Sequence, residues 1–187
     1  MRHALVLVLA ACAAEPASTV EATGDRCNGR IVDVPIVDAL HVPIGTPITW
    51  ASNPPTSGDH FPIWAKWDRT YDDLARGAWL HNAEHGGIVL AYRCDAGCET
   101  AITLLADIAR TLPDDPHCES PVRHRALVVA DPELPDDNTI AAIVWGSYYI
   151  AECVDADALR EFAVTYGGRA SENSCADGSA MFGGDPL

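Results

Sequence analysis

Cysteine placement is the sequence feature that most constrains the fold of this chain. Cys12 follows an apolar N-terminal run, and six more cysteines are spread over the rest of the sequence: Cys27, Cys94, Cys98, Cys118, Cys153 and Cys175. An even number of cysteines in an exported chain predicts disulfides, because thiols seldom stay free in an oxidising compartment. We expect three bridges, although spacing does not choose among the fifteen possible pairings. A redox role for Cys94 and Cys98 is less favoured, because their spacing exceeds that of a thioredoxin-like motif by one residue.

The first residues of the chain predict export. A basic start is followed by an apolar run and by small residues that directly precede Cys12. This is the pattern of a secretory signal, and the cysteine matches the lipidated first residue of a bacterial lipoprotein. We therefore predict a signal peptide over 1–11, a lipidated tether over 12–26 and a single globular metal-binding domain over 27–187. Such a protein is anchored by lipid at the bacterial cell envelope, facing the periplasm or the cell exterior; a plain apolar patch is the alternative.

The composition limits the partners of the chain. Its formal net charge of −15 repels nucleic acid and anionic lipid headgroups. After the signal, no segment approaches the roughly 20 apolar residues that a membrane-spanning helix requires. We therefore expect no nucleic-acid partner, membrane contact only through the lipid anchor, and cations as the natural partners.

Apolar periodicity predicts an α+β fold. The predicted strands and helices, in chain order, are extended segments at 31–37 and 47–51, a strand at 88–92, a helix at 99–111, strands at 125–130 and 139–145, and a helix from 155 to 167. This order predicts a small, mainly antiparallel sheet with two helices packed on it, a long irregular N-terminal part and disulfide bonds.

Two histidine motifs suggest a metal site. One is the rigid turn Asn-Pro-Pro-Thr-Ser-Gly-Asp-His, which ends at His60, and the other is His-Asn-Ala-Glu-His-Gly-Gly, which begins at His81. Histidines four residues apart lie on one face of a helical turn, so His81 and His85 have chelating spacing. We predict that His60, His81 and His85 bind a transition-metal ion. His41 and Glu84 are candidates for further ligands or for hydrogen-bond partners that orient a ligand ring.

Copper is favoured over zinc as the bound metal. A three-histidine site with an open position suits zinc, whereas an added thioether suits copper. Met181 is the only methionine after the signal, and its glycine-rich segment has the freedom to fold over the site. With the thiols in disulfides, imidazole and thioether are the soft donors that remain. Met181 is therefore a candidate fourth ligand, and its alternative role is to fill a gap in the core.

The motifs resemble the bacterial domain-of-unknown-function family numbered 3105. The resemblance rests on His41-Val42, the two histidine motifs and Val-Trp-Gly at 144–146, and it covers roughly 38–166. Asp59 and Ala83 stand where the family usually has proline and leucine, and neither departure removes a possible ligand. The resemblance implies a secreted or membrane-anchored protein with the element order given above. It implies no activity.

Enzymatic alternatives use the same residues. The sequence from His81 to His85 fits the His-x-x-Glu-His motif of inverted zinc peptidases, in which Glu84 would be the general base. That motif requires a long helix, and Gly86-Gly87 ends a helix directly after it. A copper-dependent redox enzyme would use an open coordination position for its substrate. Metal binding, delivery or sensing is the favoured function.

A metal-free function would depend on aromatic residues instead. Four large rings follow the first histidine motif, namely Trp64, Trp67, Tyr71 and Trp79. Such a cluster suits an interaction module whose rings line a binding groove. Rings of this size also form the core of small disulfide-bonded domains.

Overall fold

The computed structural model describes residues 18–21, 26–135 and 137–187. The predicted signal peptide and the predicted lipidation site Cys12 lie outside the described residues. Among the described residues, no helix is long and apolar enough to cross a membrane. In this part of the chain, three helices pack on a mostly antiparallel, eight-stranded sheet, which confirms the α+β class.

The sheet is mixed in direction. Its strands are β1 (Ser18–Glu21), β2 (Arg30–Asp33), β3 (Arg69–Tyr71), β4 (Ile88–Tyr92), β5 (Ala126–Ala130), β6 (Ile140–Val144), β7 (Ser147–Ala151) and β8 (Asp185–Pro186), and the helices are α1 (Arg76–Glu84), α2 (Glu99–Arg110) and α3 (Ala156–Tyr166). The spatial order is β1-β2-β7-β6-β4-β5-β3-β8. β5 runs parallel to β4 and to β3, and the other neighbouring strands are antiparallel. α2 forms the crossover that the parallel strands β4 and β5 require.

Elements with clear periodicity lie where the sequence predicts them. β4 has the predicted bounds, and α2, β5, β6 and α3 begin and end within two residues of the prediction. The structure adds α1, whose nine residues are all buried and therefore show no polar face. It also adds β7, which pairs with β6 across a tight turn at Gly146 (φ +81°), and β1, formed by residues 18–21 of the predicted tether.

The sheet has a hydrophobic core on each face. Along β4, Val89 and Ala91 pack on the α1 side, whereas Ile88 and Leu90 pack on the side of α2 and α3. This central strand is buried on both faces, which accounts for its unbroken apolar sequence. Three of the four clustered aromatic residues, Trp67, Tyr71 and Trp79, are at most 3% exposed and belong to the α1-side core. They are therefore core residues, although Trp67 also borders a cavity of about 840 Å³.

Three disulfides connect the six cysteines, as predicted. The pairs are Cys27–Cys153, Cys94–Cys98 and Cys118–Cys175. The first joins the segment before β2 to the loop after β7, and the third joins the irregular C-terminal segment to the loop before β5. Disulfides of this number are consistent with an extracellular location.

Two glycines end α1 for different reasons. Gly86 has a φ of +86°, and a Cβ atom there would lie 2.6 Å from Nη1 of the buried Arg125 side chain. Gly87 has no such φ, but its Cβ would lie 2.5 Å from the Trp67 ring. The chain therefore reverses at Gly86 and passes close to the core at Gly87 before it enters β4.

We expect Gly86→Ala to destabilise the protein more than Gly45→Ala. Gly45 has a matching φ of +84°, but a methyl group there contacts nothing within 4 Å. Gly45→Ala should therefore lower the free energy of unfolding by about 1 kcal/mol, the cost of the left-handed backbone alone. Gly86→Ala should cost about 2 kcal/mol more, because Arg125 must leave its hydrogen bonds to the His85 carbonyl and Asn173. Chemical denaturation of the disulfide-intact proteins measures the difference, and equal losses would contradict this account of Gly86.

Candidate metal centre

His41 and His60 lie side by side on paired extended segments. The amide of Val42 donates to the His60 carbonyl (2.8 Å), and the amide of His60 donates to the Leu40 carbonyl (3.1 Å). Asp59 adds a side-chain contact, because its Oδ1 accepts from the amide of Leu40 (2.9 Å). The imidazole centroids of His41 and His60 are 4.8 Å apart. This backbone pairing brings together two histidines that are distant in the sequence.

Helix α1 supplies His81 and Glu84, which lie three residues apart and so share one helical face. Asn82 fixes the position of this helix. The amide of Ala65 donates to Asn82 Oδ1 (3.0 Å), and Asn82 Nδ2 donates to the Ala65 carbonyl (2.8 Å). Since Ala65 belongs to the loop that follows His60, these two bonds join both histidine motifs.

Four side chains converge to form a His/Glu cluster, consisting of His41, His60, His81 and Glu84. One potential ligand atom from each lies within 4.8 Å of the others. Metal–nitrogen bonds of about 2.0–2.1 Å place tetrahedral donors about 3.4 Å apart, so small side-chain movements would close this set on an ion. His60, His81 and Glu84 are 1%, 2% and 7% exposed, whereas the His41 side chain is 48% exposed. The cluster is therefore buried except at His41.

Backbone carbonyls fix the tautomers of two imidazoles. His60 Nδ1 lies 2.9 Å from the Gly58 carbonyl oxygen, and His81 Nδ1 lies 2.6 Å from that of Phe61. A carbonyl oxygen only accepts, so both Nδ1 atoms carry a proton and donate it. In the neutral rings, the lone pair is then on Nε2 and is available to a metal. Metal-binding histidines commonly have this outer hydrogen bond.

Burial and the contact between Glu84 and His60 set the charges of the cluster. Burial alone would raise the pKa of Glu84, but contact with the His60 imidazole lowers it below the ordinary value. Burial would lower the pKa of His60, but Glu84 Oε2, 2.8 Å from His60 Nε2, and the Gly58 carbonyl raise it overall. Burial lowers the pKa of His81 to about 4. The metal-free site therefore holds a buried carboxylate beside a neutral imidazole of His81.

His85 and Met181 lie elsewhere. His85 follows the last residue of α1. Its ring stacks on that of His81 with centroids 4.8 Å apart, and it contacts the Trp64 ring at 4.5 Å with the planes tilted by 41°. It is not one of the four mutually close donors. Met181 lies in a 3-10 turn at Ala180–Phe182 and is 63% exposed. Of the predicted ligands, the cluster contains His60 and His81, and it adds the two further candidates His41 and Glu84.

The C-terminal segment contacts the cluster, which sequence reasoning did not predict. Ser171 Oγ donates to Glu84 Oε1 (3.1 Å), and the Glu172 amide donates to the Glu84 carbonyl (3.2 Å). The disulfide Cys118–Cys175 holds this segment close by. An isolated serine in an irregular segment gives no sequence signal, and only Cys175 indicated that the segment is fixed.

Comparison with known proteins supports the resemblance seen in the motifs. The family model described as protein of unknown function (DUF3105) matches residues 41–178. The match begins at His41 and includes every residue of the His/Glu cluster. No curated protein and no solved structure matches the chain.

We expect the imidazoles of the metal-free protein to titrate far apart. His60 should titrate above its ordinary value of 6.5 and His81 near pH 4, with the proton of each neutral ring on Nδ1. Long-range ¹H–¹⁵N correlation spectra report both the pKa and the tautomer. In Glu84→Gln the pKa of His60 should fall, because the carboxylate that raises it is gone. A His81 ring that titrates near 6.5, or that carries its proton on Nε2, would contradict this geometry.

Proposed function

We propose that this chain, which belongs to the DUF3105 family of proteins of unknown function, binds one divalent transition-metal ion. The ligands in this proposal are His41, His60, His81 and Glu84. The observation that carries it is the convergence of a buried carboxylate with three imidazoles within 4.8 Å. In the metal-free protein the Glu84 carboxylate is paired with His60, and a bound cation would take the place of the proton on His60 Nε2.

Copper is the proposed metal and zinc the alternative. The exposure of Met181 removes the thioether as a reason for copper, and it removes the case for Cu⁺ in particular. The donors that remain are imidazole and carboxylate. Sites of this kind bind Cu²⁺ more tightly than Zn²⁺, following the general order of divalent metals. We therefore propose Cu²⁺ as the bound metal. Zn²⁺ would bind less tightly, and it would require the four donors to adopt a tetrahedral arrangement.

Binding and delivery fit the site better than hydrolysis or redox catalysis. Cavities of about 840, 490 and 450 Å³ lie in the described part of the chain, and none of these three is lined by a residue of the cluster. α1 ends at Glu84, so the peptidase motif is not on one long helix. Glu84 is one of the four converging donors, whereas the peptidase motif requires a glutamate that does not bind the metal. We propose a protein that holds, delivers or senses metal.

The proposed location is the exterior of the cytoplasmic membrane. The three disulfides support an oxidising compartment. Cys12, which follows the predicted signal, would carry the lipid that anchors the domain. The site would then meet metal ions in the periplasm or at the cell surface.

Elemental analysis of protein made without a histidine tag tests the site. After incubation with Cu²⁺ and removal of free ion, the wild-type protein should retain about one equivalent. His60→Ala and His81→Ala should weaken binding by about 100-fold or more, since each removes a buried ligand and even the loss of an outer hydrogen-bond partner costs about 10–100-fold.

Two control variants make this measurement specific. His117→Ala removes an exposed histidine that lies outside the cluster, and Met181→Leu removes the exposed thioether. Both should retain copper at the wild-type level. Full loading of His81→Ala, or no retention of Cu²⁺ or Zn²⁺ by the wild-type protein, would contradict the proposed function.

A further inference from the structure

His85 is buried without using its polar atoms. The residue is 6% exposed, and both ring nitrogens, Nδ1 and Nε2, are buried without a hydrogen-bond partner. Leaving a buried polar atom unpaired costs about 1–3 kcal/mol. Native proteins seldom retain such atoms without a reason, and a ligand that is absent from the structure is one such reason.

His85 lies between the His/Glu cluster and solvent. Its ring stacks on that of the proposed ligand His81, with an interplanar angle of 17°. On the other side, His85 Nε2 lies 3.9 Å from Glu172 Oε2, and the Glu172 side chain is 61% exposed. The amide of Glu172 donates to the carbonyl of Glu84, which holds this residue over the end of α1. His85 therefore contacts both the cluster residue His81 and the exposed carboxylate of Glu172.

We propose that His85 and Glu172 form a relay site, which binds a divalent transition-metal ion transiently as it passes between solvent and the cluster. This inference rests on the proposed function. The transfer is a ligand exchange without oxidation or reduction: the lone pair of a neutral His85 ring binds the ion as a water or a cluster ligand leaves it. The ion would next bind His81 on the way in, and Glu172 on the way out.

A relay site would carry ions to the two most deeply buried imidazoles of the cluster. His60 and His81 are 1–2% exposed, and their Nδ1 atoms are held by backbone carbonyls, so neither ring turns readily toward solvent. A divalent ion must lose its waters before it reaches them, and donors along its path replace those waters stepwise. His85 is not one of the four converging donors, so its loss leaves the ligand set intact.

The His85→Phe variant distinguishes a relay from an equilibrium ligand and from a residue that takes no part in metal exchange. Phenylalanine retains an aromatic ring against His81 and Trp64, and no hydrogen bond is lost because the His85 ring makes none. A relay lowers the barrier equally in both directions. We therefore expect the rates of Cu²⁺ uptake and release to fall together, each by about tenfold, with Kd unchanged within about twofold. Stopped-flow measurements with a chromogenic chelator give both rates, and competition with the chelator gives Kd.

Glu172→Gln provides a second variant at an exposed position. It should slow uptake and release by about threefold, because a carboxamide is the weaker metal ligand and lacks charge. Glu161→Gln, at an exposed position on α3 on the opposite face of the sheet, is the matched control and should leave both rates unchanged. If His85→Phe does not fold, Glu172→Gln decides the outcome, and wild-type rates in that variant overturn the relay.

Other results overturn the relay in distinguishable ways. A larger Kd with faster release from His85→Phe would make His85 an equilibrium ligand instead. Unchanged rates would mean that ions pass directly by the exposed His41. In both cases the wild-type protein still binds copper, so the proposed function stands. If the wild-type protein retains no metal, the proposed function itself has failed.

Discussion

The two hydrogen bonds between Asn82 and Ala65 are the interaction on which the candidate site depends. α1 has nine residues and no side-chain cap at its N-terminus, and helices this short are marginal in isolation. Its position must therefore come from tertiary contacts. Asn82 supplies them by pairing both polar groups of the Ala65 backbone, while a buried ion pair between Arg76 and Asp131 (2.9 Å) holds the other end of the helix. Together with the hydrogen bond from His81 Nδ1 to the Phe61 carbonyl, these contacts fix His81 and Glu84 relative to His60.

The cluster combines rigidity with one accessible ligand. Backbone carbonyls orient His60 and His81, and Ser171 orients Glu84, so the buried donors are arranged before any ion arrives. Preorganisation of this kind raises affinity, because little conformational entropy remains to be lost on binding. His41 differs, since its side chain is half exposed and no hydrogen bond to its ring is found in the described part of the chain. It is the residue of the cluster that is most accessible to solvent.

The sequence predicted the elements that have a clear apolar period, a capping residue or an unbroken apolar run. The apolar period of α2 and the Asp155 cap of α3 were sufficient, and so was the unbroken apolar run of β4. α1 was not predictable, because burial on all sides removes its periodicity. The spacing of His81 and His85 suggested that both bind one ion, but the helix ends at Glu84 and His85 is not one of the four converging donors. Pairing of His41 with His60 depends on long-range backbone contacts that local spacing does not encode.

The disulfide between Cys118 and Cys175 makes the site sensitive to the redox state of its surroundings. The segment that it holds supplies Ser171 and the backbone amides that bond the carbonyls of Glu84 and His85. In a reducing environment this segment would lose its covalent tie, and Glu84 would lose the support of its outer hydrogen bond. If the site binds metal as proposed, the reduced polypeptide would bind it more weakly than the oxidised protein does.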